Sequence, residues 1–220
     1  MFAKQLINDS IPVLQPTDTV DQALVWMADY GIQHLPVEKD KIYQGMLSEE
    51  ELLDSEAMEK TIGDFKFYRQ QPKVEELSHL FEVIGLAAET RLTVIPVVGE
   101  KQEFIGVIDL PNIIQAMQAY SVIQDSGAII MLELNSIDYS LAEIARLVES
   151  NDSIVLGSTV MNNPGKGKIE VTIKINTTDA AAIIATFERY EYKILGTFNE
   201  VSYYEDLKDR YDAFMRYLNV

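Results

Sequence analysis

Apolar residues recur in the same order in two stretches of this chain, residues 11–54 and 71–117. The two stretches align at an offset of 60 positions until a single late insertion, after which residues 45–47 match residues 106–108. The matched positions are Val20, Leu24, Ala28, Ile32, Leu35, Pro36 and Val37 in the first copy and Leu80, Ile84, Ala88, Leu92, Ile95, Pro96 and Val97 in the second. Such a repeat predicts two half-modules that bury their apolar faces against each other, with two clefts related by approximate two-fold symmetry.

Each copy has the pattern strand, helix, strand, strand, helix. In the first copy we expect strands at 11–14, 34–37 and 43–47, a helix from Val20 that Gly31 ends, and a closing helix that begins at Ser48. In the second copy we expect strands at 65–68, 92–98 and 104–108 and helices at 79–89 and 110–120. Ser48 is a favourable N-cap, and Glu51 three residues later completes a capping box.

The pattern changes after about residue 125. Strands are predicted at 128–134, 154–160, 169–175 and 194–198, helices at 141–148 and 179–190, and a hairpin loop at 162–167. The order βαββαβ is that of the ferredoxin-like arrangement. A final helix from about Tyr204 to Leu218 carries one stripe of apolar and aromatic residues. That stripe favours docking on the chain's own sheet, and a second subunit is the alternative.

The charge of the chain limits its partners. With 18 Lys and Arg residues against 35 Asp and Glu residues, the formal net charge is −17. Such a surface repels phosphate backbones, so we expect no nucleic-acid partner. No apolar run approaches the roughly 20 residues that span a bilayer, and residues 1–9 lack a signal-peptide pattern, so we expect no membrane partner. The absence of cysteine agrees with a cytoplasmic location.

Residues with catalytic or metal-binding chemistry are sparse in the sequence. His34 and His79 are the two histidines, and neither a set of ligands at metal-binding spacing nor a nucleophile elbow accompanies them. Residues 165–168, Gly-Lys-Gly-Lys, lack the spacing of a phosphate-binding loop and indicate a turn. We therefore predict no metal, no cofactor and no enzymatic activity.

The doubled signature of the repeat resembles the CBS domain, named after cystathionine β-synthase, which works as a tandem pair. The residues that carry the resemblance are His34-Leu35-Pro36-Val37, Gly45-Met46-Leu47-Ser48 and Glu51 in the first copy, and Val94-Ile95-Pro96-Val97, Gly106-Val107-Ile108-Asp109 and Asn112 in the second. The βαββαβ region resembles the ACT domain, a module that often senses amino acids, although residues 137–140 lack the glycine that many such domains use there. A CBS pair followed by an ACT-like domain is similar to the acetoin-utilisation accessory protein family of bacteria.

The fold class predicted from these patterns is α+β. We expect a tandem CBS pair with pseudo-two-fold symmetry, a ferredoxin-like ACT domain and a C-terminal helix. The predicted boundaries are residues 1–60 for CBS repeat 1, 61–122 for CBS repeat 2, 125–200 for the ACT-like domain and 203–220 for the C-terminal helix.

The resemblance also implies where a ligand would bind. CBS pairs commonly bind adenosine compounds (AMP, ADP, ATP or S-adenosylmethionine), and a Ser/Thr-x-x-Asp motif at the second helix of a repeat serves the ribose and phosphate. The implied first site contains Ser48, Glu51, Ser78, Val83 and Leu92, and the implied second site contains Asp18, Ala23, Ile32, Asp109 and Asn112. Asp109 would repel phosphate, so the second site is expected to be degenerate. Alternatively, Ser48 and Glu51 only cap a helix.

The predicted function is regulatory. An adenosine-type nucleotide bound between the repeats would shift their relative orientation or the assembly of the protein, which is expected to be a homodimer that acts on a protein partner. One alternative is a scaffold that has lost its ligand and retains only dimerisation and partner binding. Another is amino-acid sensing by the ACT-like domain near residues 137–140.

Overall fold

The structure is a computed structural model that describes residues 1–54, 60–67, 71–163 and 167–198. Its contacts divide the chain into two compact units, Met1–Met117 and Gln118–Val220. The first unit contains the predicted repeats, and the second contains the predicted βαββαβ region.

The two copies in the first unit have the same order of helices and paired strands. The first copy contains α1 (Val20–Tyr30), β1 (His34–Lys39), β2 (Ile42–Ser48) and α2 (Glu49–Leu53). The second copy contains β3 (Val74–Glu75), α3 (Leu80–Thr90), β4 (Val94–Val98), β5 (Phe104–Asp109) and α4 (Leu110–Gln118). β3 pairs in parallel with β4 through Val74 and Val97, and the first copy has a parallel bridge between Leu14 and Val37, 60 positions earlier.

The strand pairs of the two copies also share their register. Pro36 of β1 lies opposite Met46 of β2, and Pro96 of β4 lies opposite Val107 of β5. Both prolines are buried. Each pair contains an irregularity at the same point, directly after Val37 in the first copy and after Val97 in the second.

Each long helix of the repeat ends at a left-handed residue. The hydroxyl of Thr19 caps the start of α1 by accepting a hydrogen bond from Gln22 N at 3.2 Å. Gly31 ends α1 with φ = 64°, as its position in the sequence predicted. Arg91 occupies the equivalent position after α3 with φ = 57°. The left-handed turn is therefore kept although arginine replaces the glycine.

The segment that precedes each copy packs against the other copy. We call residues 1–8 the first crossing segment and residues 60–67 the second crossing segment. Backbone N–H groups make the same hydrogen bonds in both: Ala3 N to Ser78 O (2.9 Å) and Ile62 N to Asp18 O (2.8 Å); Lys4 N to Glu76 O (3.0 Å) and Gly63 N to Pro16 O (2.8 Å); Leu80 N to Met1 O (3.1 Å) and Val20 N to Lys60 O (3.2 Å). The two copies are therefore joined by a symmetric exchange.

Two contacts between equivalent residues place an approximate two-fold axis between the copies. Gln33 N donates to Thr93 Oγ1 at 3.0 Å, and these positions are 60 residues apart. Ile42 and Glu103, which are equivalent after the insertion, form an antiparallel bridge. The predicted pseudo-two-fold relation of the repeats is present in the first unit.

His34 lies beside this axis. Its Nδ1 accepts a hydrogen bond from Thr93 N at 3.3 Å and lies 3.2 Å from Thr93 Oγ1. Burial lowers the pKa of His34 below its usual value, and the negative charge of Glu51 partly opposes that shift. The hydrogen bond from Thr93 N requires an unprotonated Nδ1, so this contact between the copies depends on neutral His34.

The predicted strand at 65–68 is wrong for residues 65–67, and Tyr68 lies outside the described residues. A 3-10 turn at Ile62–Asp64 leads into an irregular stretch, and β3 forms later in the chain. The reason is that Phe65 and Phe67 belong to the second crossing segment. A Cβ atom at Gly45 would lie 2.9 Å from the ring of Phe67. Phe67 therefore packs against β2 of the first copy and does not form a strand of the second.

The second unit is an α+β layer structure. Its elements are α5 (Ser121–Gln124), β6 (Ile129–Asn135), α6 (Leu141–Glu149), β7 (Val155–Asn163), β8 (Lys168–Ile175), α7 (Ala181–Arg189) and β9 (Lys193–Phe198). The strand order is β7-β8-β6-β9, and every pairing is antiparallel. Its buried core includes Ile130 and Leu132 of β6, Ile144 and Leu147 of α6, and Phe187 of α7. The short helix α5 was not predicted.

Some sequence predictions fall on residues that the structure does not describe. The C-terminal helix at 203–220 lies outside the described residues, as does the middle of the predicted hairpin loop at 162–167. Among the helices that are described, none combines the length and apolar character needed to cross a bilayer.

Truncation of Ile62 tests the contribution of the crossing segments to stability. Ile62 is fully buried, so Ile62→Ala should lower the free energy of unfolding of the first unit by about 2–5 kcal/mol. Leu77→Ala is the control, because Leu77 is 53% exposed, and it should change stability by less than about 0.5 kcal/mol. Fluorescence of the single tryptophan, Trp26 in α1, reports urea unfolding of this unit. Equal effects of the two substitutions would contradict the packing described here.

The lowered pKa of His34 predicts a loss of stability in mild acid. Above about pH 6.5, the ordinary pKa of histidine, His34 is neutral in both states and adds no pH dependence. Below that pH the unfolded chain binds a proton that folded His34 resists, so stability falls as the pH falls. His34→Asn keeps an acceptor without titrating. Urea unfolding between pH 8 and pH 5 should show the wild type losing stability relative to His34→Asn, and a constant difference would contradict this assignment.

Candidate functional site

Ser48 and Glu51 form a closed pair at the start of α2. Glu51 Oε2 accepts hydrogen bonds from Ser48 N and Ser48 Oγ, each 2.8 Å long, and Glu51 N donates to Ser48 Oγ at 3.2 Å. This is the capping box that the sequence predicted. Both acceptor contacts use Oε2, so Oε1 is left without a hydrogen bond among those that the described residues make.

A cavity of about 400 Å³ lies beside Glu51. The described residues that line it are Leu47, Glu51, Asp54, Lys60, Asp64, Phe65 and Lys66. Its volume is within the range of about 300–1,000 Å³ that is typical of small-molecule sites. The lining combines three carboxylates, two ammonium groups and two apolar side chains. We call it the Glu51 cavity.

A second cavity, of about 320 Å³, lies beside Ser48. The described residues that line it are Gln33, His34, Ser48, Glu49, Glu50, Leu53 and Asp54. Its charged lining is acidic, so it disfavours an anionic ligand. The Glu51 cavity is the better candidate for a phosphorylated compound, because it includes Lys60 and Lys66.

Three further residues, Ser78, Val83 and Leu92, were expected in the first site. Val83 is fully buried and Leu92 is 6% exposed. The carbonyl of Ser78 accepts the hydrogen bond from Ala3 of the first crossing segment. The described residues that line the two cavities do not include any of the three. Their part in binding stays a prediction.

Asp109 and Asn112, the second-copy counterparts of Ser48 and Glu51, contact the first crossing segment. Asp109 Oδ2 accepts a hydrogen bond from Asn8 Nδ2 at 2.7 Å, and Asn112 Nδ2 donates to Leu6 O at 3.1 Å. Asp109 Oδ1 also accepts from Asn112 N at 2.9 Å. The polar groups expected to hold a ligand in the second cleft are therefore engaged by the protein itself.

The remaining residues of the predicted second site lie in the first copy. The carboxylate of Asp18 accepts a hydrogen bond from Gln15 N at 2.7 Å, and its carbonyl accepts the one from Ile62. Ala23 is fully buried and Ile32 is 8% exposed. Asp18 is thus tied to the second crossing segment, which also lines the Glu51 cavity.

Sequence reasoning missed the lining residues that the crossing segment contributes. Lys60, Asp64, Phe65 and Lys66 line the Glu51 cavity, although the predicted site took its cross-repeat residues from Ser78 onward. The repeat itself contained a signal for them, because residues 60–67 stand before the second copy as residues 1–8 stand before the first. The sequence does not state which copy such a segment packs against.

The second unit has a polar cavity at the end of β6. Its volume is about 310 Å³, and the described residues that line it are Glu133, Leu134, Asn135, Asp138, Tyr190, Glu191 and Tyr192. Glu133 Oε1 accepts hydrogen bonds from Lys168 Nζ at 2.5 Å and Lys193 Nζ at 3.0 Å, which lower the pKa of Glu133 to about 2. The cavity adjoins the 137–140 turn, where the sequence allowed an amino-acid site, although Ile137 itself is 89% exposed.

Comparison with known proteins gives one family-model match and several similar structures. Residues 3–57 match the family model of the CBS domain. The chain is similar to a CBS domain pair/ACT domain protein from Thermotoga maritima, with 22% identity, coverage of 53% of this chain and 96% of that one, and a TM-score of 0.48. It is also similar to CBSX2 in complex with AMP (23% identity, 53% and 95% covered, TM-score 0.45) and to a putative acetoin utilization protein, AcuB, from Vibrio cholerae (20% identity, 53% and 90% covered, TM-score 0.46).

The match to the family model begins in the first crossing segment and continues past the capping box of α2. It confirms the resemblance drawn from the His-Leu-Pro-Val and Gly-Met-Leu-Ser signatures of the first copy. The second copy repeats the order of helices and paired strands within the same unit. Residues 3–57 therefore match the CBS domain, and a second copy of the same elements follows them.

Proposed function

We propose that this chain is a non-catalytic regulatory protein that binds an adenosine-type nucleotide in the Glu51 cavity. The observation that carries the proposal is the composition of the cavity, in which a carboxylate, an aromatic ring and two lysines line about 400 Å³. These are the groups that a ribose, a purine base and a phosphate require. CBS domains are generally regulatory modules, and this supports the same role.

Glu51 is the proposed acceptor for the ribose hydroxyls. A carboxylate oxygen accepts hydrogen bonds from vicinal hydroxyls, and Oε1 is not used by the capping box. The extra methylene relative to the aspartate of the family motif lets one carboxylate cap the helix through Oε2 while Oε1 reaches the ligand. Capping and binding are then compatible roles of one side chain.

Phe65 and Leu47 supply the apolar surface for the base, and Lys60 and Lys66 supply charge for the phosphate. Among the described lining residues, three carboxylates (Glu51, Asp54 and Asp64) and two lysines give a formal charge of −1. Such a site favours a ligand of low negative charge over a triphosphate. Among adenosine compounds we therefore expect AMP or S-adenosylmethionine to bind more tightly than ATP.

The proposed response is a shift between orientations of the two copies. The second crossing segment lines the cavity, donates hydrogen bonds to Pro16 and Asp18 of the first copy, and leads into the second copy. A ligand that contacts this segment can favour one orientation only by its differential affinity for the two states. Moving the populations from 1:99 to 99:1 would need roughly 5.5 kcal/mol of such difference.

For the second unit we propose an ACT-like module of the ferredoxin-like type. Support comes from the antiparallel order β7-β8-β6-β9, in which α6 and α7 each connect two non-adjacent strands. The polar cavity beside Asp138 favours an amino acid as a second candidate ligand for this unit.

A scaffold without a ligand is the rival function. The hydrogen bonds of Asp109 and Asn112 favour it, because both carboxylate oxygens of Asp109 and the side-chain nitrogen of Asn112 are already bonded within the protein. A cytoplasmic location and a regulated protein partner belong to both proposals.

Replacement of Glu51 separates the sensor from the scaffold. Calorimetric titration with AMP, S-adenosylmethionine and ATP should give binding by the wild type. Glu51→Gln, which keeps an oxygen for the capping box, should weaken it by about 10- to 100-fold, because a charged hydrogen bond contributes about 1.5–3 kcal/mol. Glu50→Ala is the control, since it removes a charge from the same helix outside the Glu51 cavity.

Thermal unfolding gives an independent reading of the same titration, because a ligand that binds only the folded state raises the melting temperature. The sensor proposal fails when none of the three compounds produces heat or a thermal shift. It also fails when Glu50→Ala weakens binding as much as Glu51→Gln does.

We also propose that the protein is a homodimer. Support comes from apolar side chains that α1, α2, α3 and α4 leave exposed, namely Val25 (50%), Leu53 (59%), Phe81 (61%) and Ile114 (69%). Native mass spectrometry should give twice the chain mass of 24.9 kDa, and Ile114→Glu should reduce the dimer fraction. A monomer at micromolar concentration would contradict the proposal.

A further inference from the structure

The first crossing segment closes around Asp109 and Asn112. Asp109 is only 9% exposed, and its two oxygens accept hydrogen bonds from the side chain of Asn8 and from the backbone of Asn112. The side-chain amide of Asn112 donates to the carbonyl of Leu6. The groups at the head of α4 thus bind a primary amide and a carbonyl, as they would bind the polar edge of a ligand.

Buried side chains and a backbone hydrogen bond hold the same segment in place. Leu6 is 5% exposed, and Asn8 N donates to Val107 O at 2.8 Å. A Cβ atom on Gly106 would lie 2.6 Å from Cγ2 of Ile7, so Ile7 covers β5 at the glycine of the second signature. Residues 6–8 therefore occupy this position through both polar and apolar contacts.

The two clefts differ at this point although the fold is repeated. In the first copy the equivalent residues, Ser48 and Glu51, bond to each other, and a cavity of about 400 Å³ remains beside Glu51. In the second copy Asp109 and Asn112 bond to the crossing segment. The two copies differ because Asn8 of the first crossing segment donates its side-chain amide to Asp109.

We propose that residues 6–8 are an internal occupant of the second cleft, an autoinhibitory contact in which Asn8 competes with an external ligand for Asp109 and Asn112. The cleft becomes a binding site only when this segment leaves. The ligand it then accepts is an uncharged nucleoside, because the buried carboxylate of Asp109 repels phosphate and accepts hydrogen bonds from hydroxyl groups. This ligand class rests on the proposed function of the first cleft.

The test uses adenosine as the probe and the full chain in every variant. Glu51→Gln weakens the first cleft by about 10- to 100-fold, so tight adenosine binding in its background belongs to the second cleft. Calorimetry should find no tight adenosine binding to Glu51→Gln and one tightly bound adenosine per chain in the double variant Asn8→Ala/Glu51→Gln. Adding Asn112→Ala to the double variant should abolish that binding. Asp9→Ala in the Glu51→Gln background is the matched control, because Asp9 is an exposed neighbour of Asn8, and it should bind none tightly.

Hydrogen exchange distinguishes a released segment from a retained one. Backbone amides of residues 6–8 should exchange at least tenfold faster in the Asn8→Ala variants than in wild type, and saturating adenosine should leave them fast. Unchanged exchange would overturn the role of Asn8 as the anchor. Faster exchange without adenosine binding would show that residues 6–8 do not cover a binding site, and it would overturn the proposal. Failure of the proposed function appears separately, as no difference in AMP binding between wild type and Glu51→Gln.

Discussion

The backbone hydrogen bonds of the crossing segments are the constraint on which the first unit depends. Each segment donates to carbonyls of the copy that it does not lead into, as Ala3 does to Ser78 and Ile62 to Asp18. Buried donors and acceptors must be paired, and Ala3 and Ile62 are fully buried. Neither copy alone can therefore pair all of its buried backbone donors and acceptors. The pair is the structural unit, and the clefts are formed by a copy together with the segment that crosses onto it.

This exchange explains why two nearly identical halves can differ in function. The strands, the register around Pro36 and Pro96 and the left-handed turns at Gly31 and Arg91 are common to both copies. The crossing segments share their backbone hydrogen bonds but differ in side chains: one brings Phe65 and two lysines to the first cleft, and the other brings Asn8 to the second. Differences in binding can thus arise in residues outside the repeated signature, while the repeat keeps the fold.

The sequence predicted the elements that depend on local pattern. Helical spacing after Val20, the glycine at 31, and the capping box of Ser48 and Glu51 all act within one turn or one strand, so they are visible along the chain. It did not predict that residues 65–67 leave the sheet, because Phe65 and Phe67 have the apolar character of a strand and differ only in what they pack against. The lining residues of the Glu51 cavity were missed for the same reason, since the partner of a crossing segment is a tertiary choice.

The contact between Asn8 and Asp109 joins residues 101 positions apart, and this has a consequence for the order in which the protein matures. During synthesis residues 6–8 leave the ribosome before Val107 and Asp109, which receive their hydrogen bonds, have been made. Contacts of such long sequence separation form late. A nascent chain therefore passes through a stage in which Asn8 has not yet met Asp109.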